Sequence, residues 1–308
     1  MKVALAADIG GTHIRTALVD EHGTILNQQR VKADLSAHGQ TDTDEALELM
    51  LETIAITLSQ QLRYGEAELC GIGFPGFFVG DTGVLASSPN LPFLKETPLA
   101  ERLSELLCIP VTVQNDALAA AIGEFHFGAG KGLENLLHLT LGTGVGGGLI
   151  LHGAPYTGEH GMAMEVGHLT VVRNGRPCGC GGKGCLETYA SATGVAARFR
   201  EKSGKEIADS SEVFDLAQSG DTQAQEIIAD AGRYLGFAIA EAAKLLDVEN
   251  VSISGGLTGA WSLLHPALTE SLNANLIPPL KGKINVVRSK LADNAGLLGA
   301  AALALQTS

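Results

Sequence analysis

The chain of 308 residues predicts an α/β fold with mixed sheets, divided into two domains. Three observations carry that expectation. Short apolar runs alternate with amphipathic stretches along the whole length. A strand, a glycine-rich turn and a second strand occur near the N-terminus and again at residues 135–151, as a quasi-repeat with one copy per domain. No linker or low-complexity segment interrupts the chain, so the boundary is expected to be tight and to lie near Asp116.

Taken in order, residues 3–7 and 14–19 read as strands around the turn Asp8-Ile9-Gly10-Gly11-Thr12. A third strand, 24–31, follows the His22-Gly23 turn. Asp42 or Thr43 can cap a helix that carries Leu47, Leu51, Ile54 and Leu58 on one face. Residues 69–74 form a short apolar strand running into Pro75-Gly76. Residues 96–107 are amphipathic, 110–113 are another strand, and Asn115-Asp116 opens an alanine-rich helix over 117–125. Strands at 135–141 and 149–151 flank the second turn, Gly142 to Gly148. After a cysteine-bearing loop come helices at 189–202, 211–218 and 221–246. A strand at 251–254 ends in Gly255-Gly256; a helix near 257–275, a strand at 284–288 and a closing helix from Asn294 complete the chain.

A net charge of −13 and a pI near 5.1 argue against nucleic-acid partners, which favour a basic face, and against anionic membranes. They do not argue against ATP, which arrives with magnesium and is held by backbone amides. The opening apolar residues are cut short by Asp8 and read as a strand, not a signal peptide. Residues 295–305 are too short to span a bilayer. Five cysteines, an odd number, suit the reducing cytoplasm with three of them used as ligands. Cys70 and Cys108 lie in apolar stretches and are expected to be inert buried thiols.

His168, Cys178, Cys180 and Cys185 make the Cys₃His set that fills a tetrahedral zinc shell, leaving no open position for a catalytic water. Such a metal is structural. The loop from Arg173 to Lys183 has almost no apolar residue to bury and so needs a metal or a disulfide for order. Glu165 and Glu187 flank the ligands and would be fixed by the same knot.

Glycine turns after strands let a backbone approach an anion and offer N–H donors without a cationic side chain. Gly10, Gly11 and Thr12 form one such turn and Gly142, Thr143 and Gly144 another. Neither is a P-loop or a dinucleotide fingerprint. With Gly255 and Gly256 they read as three pieces of one nucleotide site, two for phosphates and one for adenosine.

The elements Asp8-Ile-Gly-Gly-Thr12-x-x-Arg15, Asn115-Asp116, Leu141-Gly-Thr-Gly-Val-Gly146, Glu165-x-Gly-His168 and the Cys178/Cys180/Cys185 loop, in order over the whole chain, resemble the ROK family of bacterial sugar kinases and related repressors. The repressor branch carries an extra N-terminal winged helix; here the first motif begins at Asp8, so a kinase is expected. Pro89-Asn90-Leu91-Pro92 and the stretch through Gly123-Glu124-Phe125 look most like the glucokinase members. The resemblance implies a two-domain actin/hexokinase-like ATPase fold with a cleft between domains. The first domain would comprise residues 1–116 plus 294–308, and the second 117–293. It further implies ATP with Mg²⁺, a structural Zn²⁺, a neutral hexose as acceptor and a homodimer.

By the same resemblance Asp116 accepts the proton of the sugar 6-hydroxyl, and Asn90, Asn115, Asp116, Glu165, His168 and Glu187 hold the sugar. Asp8 would lie near the magnesium through water. Local sequence also fits plainer roles: Asp116 as a helix N-cap, Asp8 as an Asx-turn residue and Glu187 as an acid at the start of a surface helix. The expected substrate is glucose. An N-acetylhexosamine kinase, acting on N-acetylglucosamine or N-acetylmannosamine, is the alternative, followed by a non-catalytic sugar sensor. Two departures bear on the choice. Met164 stands where the family has a small residue, often glycine, and Phe93-Leu94 stand where it has Gly-Trp. His160 and Lys183 read as exposed loop residues without a role.

Overall fold

The computed structural model describes residues 2–36 and 43–306. Contacts divide the chain into two compact units. One is Met1–Leu133 with Gly148–Ala163 and Asn294–Ser308; the other is Glu134–Gly147 with Met164–Asp293.

The first unit opens with β1 (Val3–Ile9), β2 (His13–Asp20) and β3 (Ile25–Lys32), an antiparallel meander. Helix α1 (Thr43–Gln61) follows; Asp42 lies outside the described residues. Next come β4 (Leu69–Phe74), the short strands β5 (Phe77–Phe78), β6 (Leu85–Ser87) and β7 (Lys95–Thr97), α2 (Leu99–Leu107), β8 (Val111–Asn115) and α3 (Asp116–Phe127). The main sheet runs β3-β2-β1-β4-β8, with β4 parallel to both β1 and β8. Met50, Leu51, Ile54 and Leu58, on the apolar face of α1, join Leu5, Ile14, Leu18 and Ile72 of the sheet in one buried cluster. This is the i, i+3/i+4 spacing that a helix needs to cover a sheet. Cys70 is buried there, and burial pushes its thiol far up, as expected of an inert cysteine. Cys108 is a correction: it caps α2 in the left-handed region, φ 56°, and is exposed, while Leu107 before it and Ile109 after it pack against the core.

In the second unit β9 (Leu136–Leu141) and the first half of β10 (Val145–Leu151) flank the second glycine turn. The end of β10 pairs with β11 (Ala154–Pro155), both in the first unit. Helices α4 (Glu187–Ala190), α5 (Ala192–Ser203), α6 (Ser210–Gln218) and α7 (Thr222–Leu246) follow, then β12 (Asn250–Ser254), α8 (Trp261–Asn275) and β13 (Asn285–Arg288). β12 runs parallel to β9 and to β13. α9 (Ala295–Gln306) returns to the first unit.

Three expectations shift. The helix expected over 189–202 is broken at Ser191, whose extended backbone and Oγ, accepting from the Gly194 N–H at 2.9 Å, restart it as α5. The second turn is shorter than read: residues 145–148 belong to β10. Their glycines are there for close approach, since a Cβ at Gly147 would meet the Met164 carbonyl and one at Gly148 the Ala121 side chain. The domain boundary falls not at Asp116 but after Leu133, and residues 148–163 also count with the first unit.

The cause of that boundary is α3, which packs backbone to backbone on α9. A Cβ at Gly299 would overlap the Ala119 carbonyl, and one at Gly123 the Ala295 carbonyl. Gly299→Val should therefore destabilise the chain by roughly 3 kcal/mol, the upper range for overpacking, measured as a lower urea midpoint. An unchanged midpoint would contradict the packing.

Candidate functional site

In the first unit the turn after β1 is closed by the Gly10 N–H donating to the His13 carbonyl at 2.9 Å, leaving Gly11 and Thr12 exposed. Asp8 is not an Asx-turn residue: its carboxylate pairs with the Arg15 guanidinium across the hairpin and lies against Gly296, where a Cβ would come within 3.1 Å of its Cγ. Gly73 on β4 stands between Asp8 and Asp116: its own Cβ would be 3.8 Å from Asp8 Oδ1 and 3.6 Å from the Asp116 Cα.

Asn115, not Asp116, is the N-cap of α3. Its Oδ1 accepts from the N–H groups of Ala117 at 3.0 Å and Leu118 at 3.1 Å, and its Nδ2 donates to the Gly76 carbonyl at 3.1 Å. Asp116 takes the first helical position, half-buried, with Oδ1 accepting from the Ala117 N–H at 2.8 Å. A carboxylate there sits at the positive end of the helix dipole. Asn90 is exposed in a turn pinned by the buried Leu91 and Leu94.

The second unit assembles the other residues. A left-handed Met164, φ 70°, precedes Glu165 at φ −68°, ψ 52°, and the Val166 N–H donates to the Met164 carbonyl at 2.7 Å. That is an inverse γ-turn with Glu165 at its apex. Left-handed backbone is where glycine fits without strain, which explains the small residue usual at Met164's position. His168 Nε2 lies 3.7 Å from Glu165 Oε2, while its Nδ1 lies 3.6 Å from Cys178 Sγ. Desolvation raises the Glu165 carboxyl above its ordinary range; His168 opposes this and Glu187 adds to it. Glu187 is not a free surface acid. It begins α4, and its Oε2 accepts from the Val145 N–H at 3.0 Å, tying the end of the cysteine loop to the second glycine turn.

The ligand atoms of His168, Cys178, Cys180 and Cys185 all lie within 4.8 Å of one another. Cys180 and Cys185 sulfurs are 3.7 Å apart, far beyond a disulfide. A tetrahedral zinc with bonds of about 2.3 Å spaces its sulfurs by roughly 3.8 Å, so the donors fit a zinc shell. No residue from 173 to 183 is buried, as the sequence suggested, and His160 and Lys183 are exposed.

Several contributors escaped the sequence reading. His138 on β9 is fully buried, its Nδ1 2.7 Å from Ser252 Oγ and its Nε2 2.9 Å from Ser254 Oγ, directly before Gly255. The only signal was a histidine inside an apolar strand. Gly255, φ 93°, rests on the Leu141 backbone, so the ends of β9 and β12 bring Gly142–Gly144 and Gly255-Gly256 together. Arg198 packs its guanidinium over the Tyr189 and Tyr234 rings and bonds Asp230. The Tyr189 hydroxyl accepts from the Arg176 N–H at 2.9 Å, anchoring the cysteine loop to α4.

Two glycine turns on strand pairs, a carboxylate at a helix start and a Cys₃His knot beside paired glutamates define the actin/hexokinase-like class of sugar-kinase fold. The chain belongs to the ROK family, whose model matches residues 4–307. It is 36% identical to the glucokinase of Thermotoga maritima, over 97% of this chain and 96% of that protein. It is 34% identical to the N-acetylmannosamine kinase of Escherichia fergusonii, over 97% of each. The crystal structure of a ROK family glucokinase from Streptomyces griseus in complex with glucose and AMPPNP superposes with a TM-score of 0.86, at 30% identity and 99% coverage of both chains.

Proposed function

We propose that this chain is an ATP-dependent hexose kinase that transfers the γ-phosphoryl group to the 6-hydroxyl of glucose. The observation that carries the reading is Asp116, held at the first position of α3 by a neighbour that does the capping in its place. A sensor would need no base there. The glucokinase of Thermotoga maritima and the glucose-bound relative from Streptomyces griseus support the choice of sugar.

In this reading the N–H groups of Gly10, Gly11 and Thr12 and of Gly142, Thr143 and Gly144 take the phosphates, and Gly255 and Gly256 receive the adenosine. Asn90, Glu165, His168 and Glu187 bind sugar hydroxyls, with Asn115 fixing the helix start. Phosphoryl transfer has a loose transition state, so positioning and charge stabilisation dominate, and Asp116 accepts the hydroxyl proton late. Asp8, through water, would hold Mg²⁺, which neutralises phosphate charge when bound. His168, Cys178, Cys180 and Cys185 would hold a structural Zn²⁺, and with Nδ1 on the metal the His168 Nε2 keeps its proton as a donor toward Glu165 and the sugar.

The N-acetylhexosamine alternative stays alive through Met164 and Phe93-Leu94, and through the relative from Escherichia fergusonii. A cytoplasmic homodimer completes the proposal. Among the described residues no helix is long and apolar enough to cross a membrane.

A coupled ADP-release assay across glucose, N-acetylglucosamine, N-acetylmannosamine, mannose and fructose tests the assignment. Glucose should give the highest kcat/KM, and ADP release should depend on sugar. Preference for an N-acetylated sugar would move the reading to the alternative. Equal ADP release with and without sugar would contradict both.

A further inference from the structure

One face of α1 is left over by the fold. Its inward side supplies Met50, Leu51, Ile54 and Leu58 to the core of the first unit. On the outer side Glu52, Ile56, Ser59, Gln60 and Arg63 are exposed, with Ala55 buried between them as a floor. Arg63 lies in the single 3₁₀ turn, Leu62–Tyr64, that prolongs the helix. Residues three and four apart on a helix are neighbours, so these side chains form one stripe. Leu106 of α2 closes a groove along it. Ile56 is 59% exposed and Leu106 46%, so the groove keeps its largest apolar groups in water. A single exposed isoleucine is ordinary. Here two such side chains line one groove whose ends carry opposite charges.

The charges decide what fits. Glu52 and Arg63 stand about 16 Å apart along the axis at 1.5 Å per residue, too far to meet within the chain. Among the described residues no ion pair engages either of them, whereas the neighbouring Arg102 on α2 is held by Glu48 at 2.8 Å and Glu105 at 3.9 Å. A second α1, antiparallel about a two-fold axis level with Thr57 and Leu58, brings Glu52 of each copy opposite Arg63 of the other. The same operation sets Ile56 opposite Ser59 and Ala55 opposite Gln60, so each bulky side chain meets a smaller one. Glu52, Ile56, Ser59 and Arg63 also follow the alternating four and three spacing of a helix seam. A two-fold interface must be complementary to itself. This stripe meets that condition only when antiparallel; a parallel pair would set Glu52 on Glu52 and Arg63 on Arg63.

We propose that this face is an interface between two copies of the chain, α1 packed antiparallel on α1, with Leu106 of each copy walling the seam. One helix from each copy makes a small contact, so the association is weak and depends on concentration. None of these residues belongs to the candidate functional site, and the interface stands apart from the kinase reading.

The test is sedimentation of the full chain over a range of concentrations. Wild type should self-associate as concentration rises; where another face already holds a dimer, the step read is dimer to tetramer. Glu52→Arg, or Arg63→Glu, sets like charges opposite each other twice in each assembly and should weaken association about tenfold or more. The double variant Glu52→Arg/Arg63→Glu exchanges the two charges and should recover the association of wild type, a result that general damage to the surface would not give. Both positions are exposed, so each variant should keep the melting temperature and the ADP release of dilute wild type. A chain that stays monomeric at every concentration overturns the proposal and leaves the groove to a different partner. So does any assembly that both single variants leave intact, which places the contact on another face. Failure of the double variant to recover overturns the antiparallel register, and with it the pairing proposed.

Discussion

Asp116→Asn should fold like the parent and lose about 10²–10⁴ in kcat, the range a general base supplies. The fold is spared because the cap of α3 does not depend on it: the two orphan N–H groups at Ala117 and Leu118 go to Asn115 Oδ1. Asn115→Ala is the matching control. It removes that cap and the bond to the Gly76 carbonyl, and should cost about 1 kcal/mol of stability. The neighbours thus divide between them what the sequence left open at Asp116: Asn115 holds the helix, and Asp116 is the base in the proposed reading. ADP release at saturating glucose and MgATP reads the first variant, and urea unfolding reads the second. Near-normal turnover in Asp116→Asn would remove it from the mechanism. A large stability loss in that variant would instead make it a structural residue.

Much of this architecture was legible because the sequence spells its periods plainly. The apolar runs at 69–74 and 251–254 are short, bounded by Pro75-Gly76 and by Gly255-Gly256, and became β4 and β12. The face of α1 followed from its leucine spacing, and the helix read over 221–246 is α7, with Asp221 as its N-cap. What could not be read was whatever depends on approach between distant backbones. Gly71, Gly123 and Gly299 look like ordinary glycines in a strand and two helices, yet they let α9 sit against β4 and α3, and so move the unit boundary past Asp116. Strands β5 to β7, of two or three residues, are too short to show a period. In the candidate site, the glycine turns and the Cys₃His set came from motif spacing, and Asp116 from the family resemblance. The left-handed Met164 and the His138–serine bridge are properties of φ and register, which no single-sequence pattern carries.

Loss of zinc should be the other large effect, because little else holds the segment from Thr170 to Cys185. Besides the Arg176 N–H on the Tyr189 hydroxyl and the exposed Arg176–Glu201 ion pair, its order rests on the Thr170–Cys185 and Pro177–Lys183 bridges, and on turn bonds such as the Gly184 N–H to the Arg176 carbonyl at 2.7 Å. Each such bond is worth only about 1 kcal/mol net. Without a cation the thiols crowd one another: burial pushes Cys185 up to about 12, while the Gly182 N–H lowers Cys180. A divalent metal takes them as thiolates, so its affinity should fall with acid as protons compete for the sulfurs. Purified protein should carry one zinc per chain. Cys178→Ser, or a zinc-selective chelator with Mg²⁺ kept in excess, should release it and open the loop to protease. It should also cut kcat/KM for sugar at least 100-fold, more than the 10- to 100-fold typical of disturbing the residues that merely support ligands. The reason lies at both ends of the segment. His168 orients toward Glu165 only while Nδ1 is held, and Glu187 reaches the Val145 N–H only while Cys185 fixes the start of α4. A metal-free protein that keeps full sugar phosphorylation and a protease-resistant loop would show that these backbone bonds suffice, and that the Cys₃His cluster has no metal to serve.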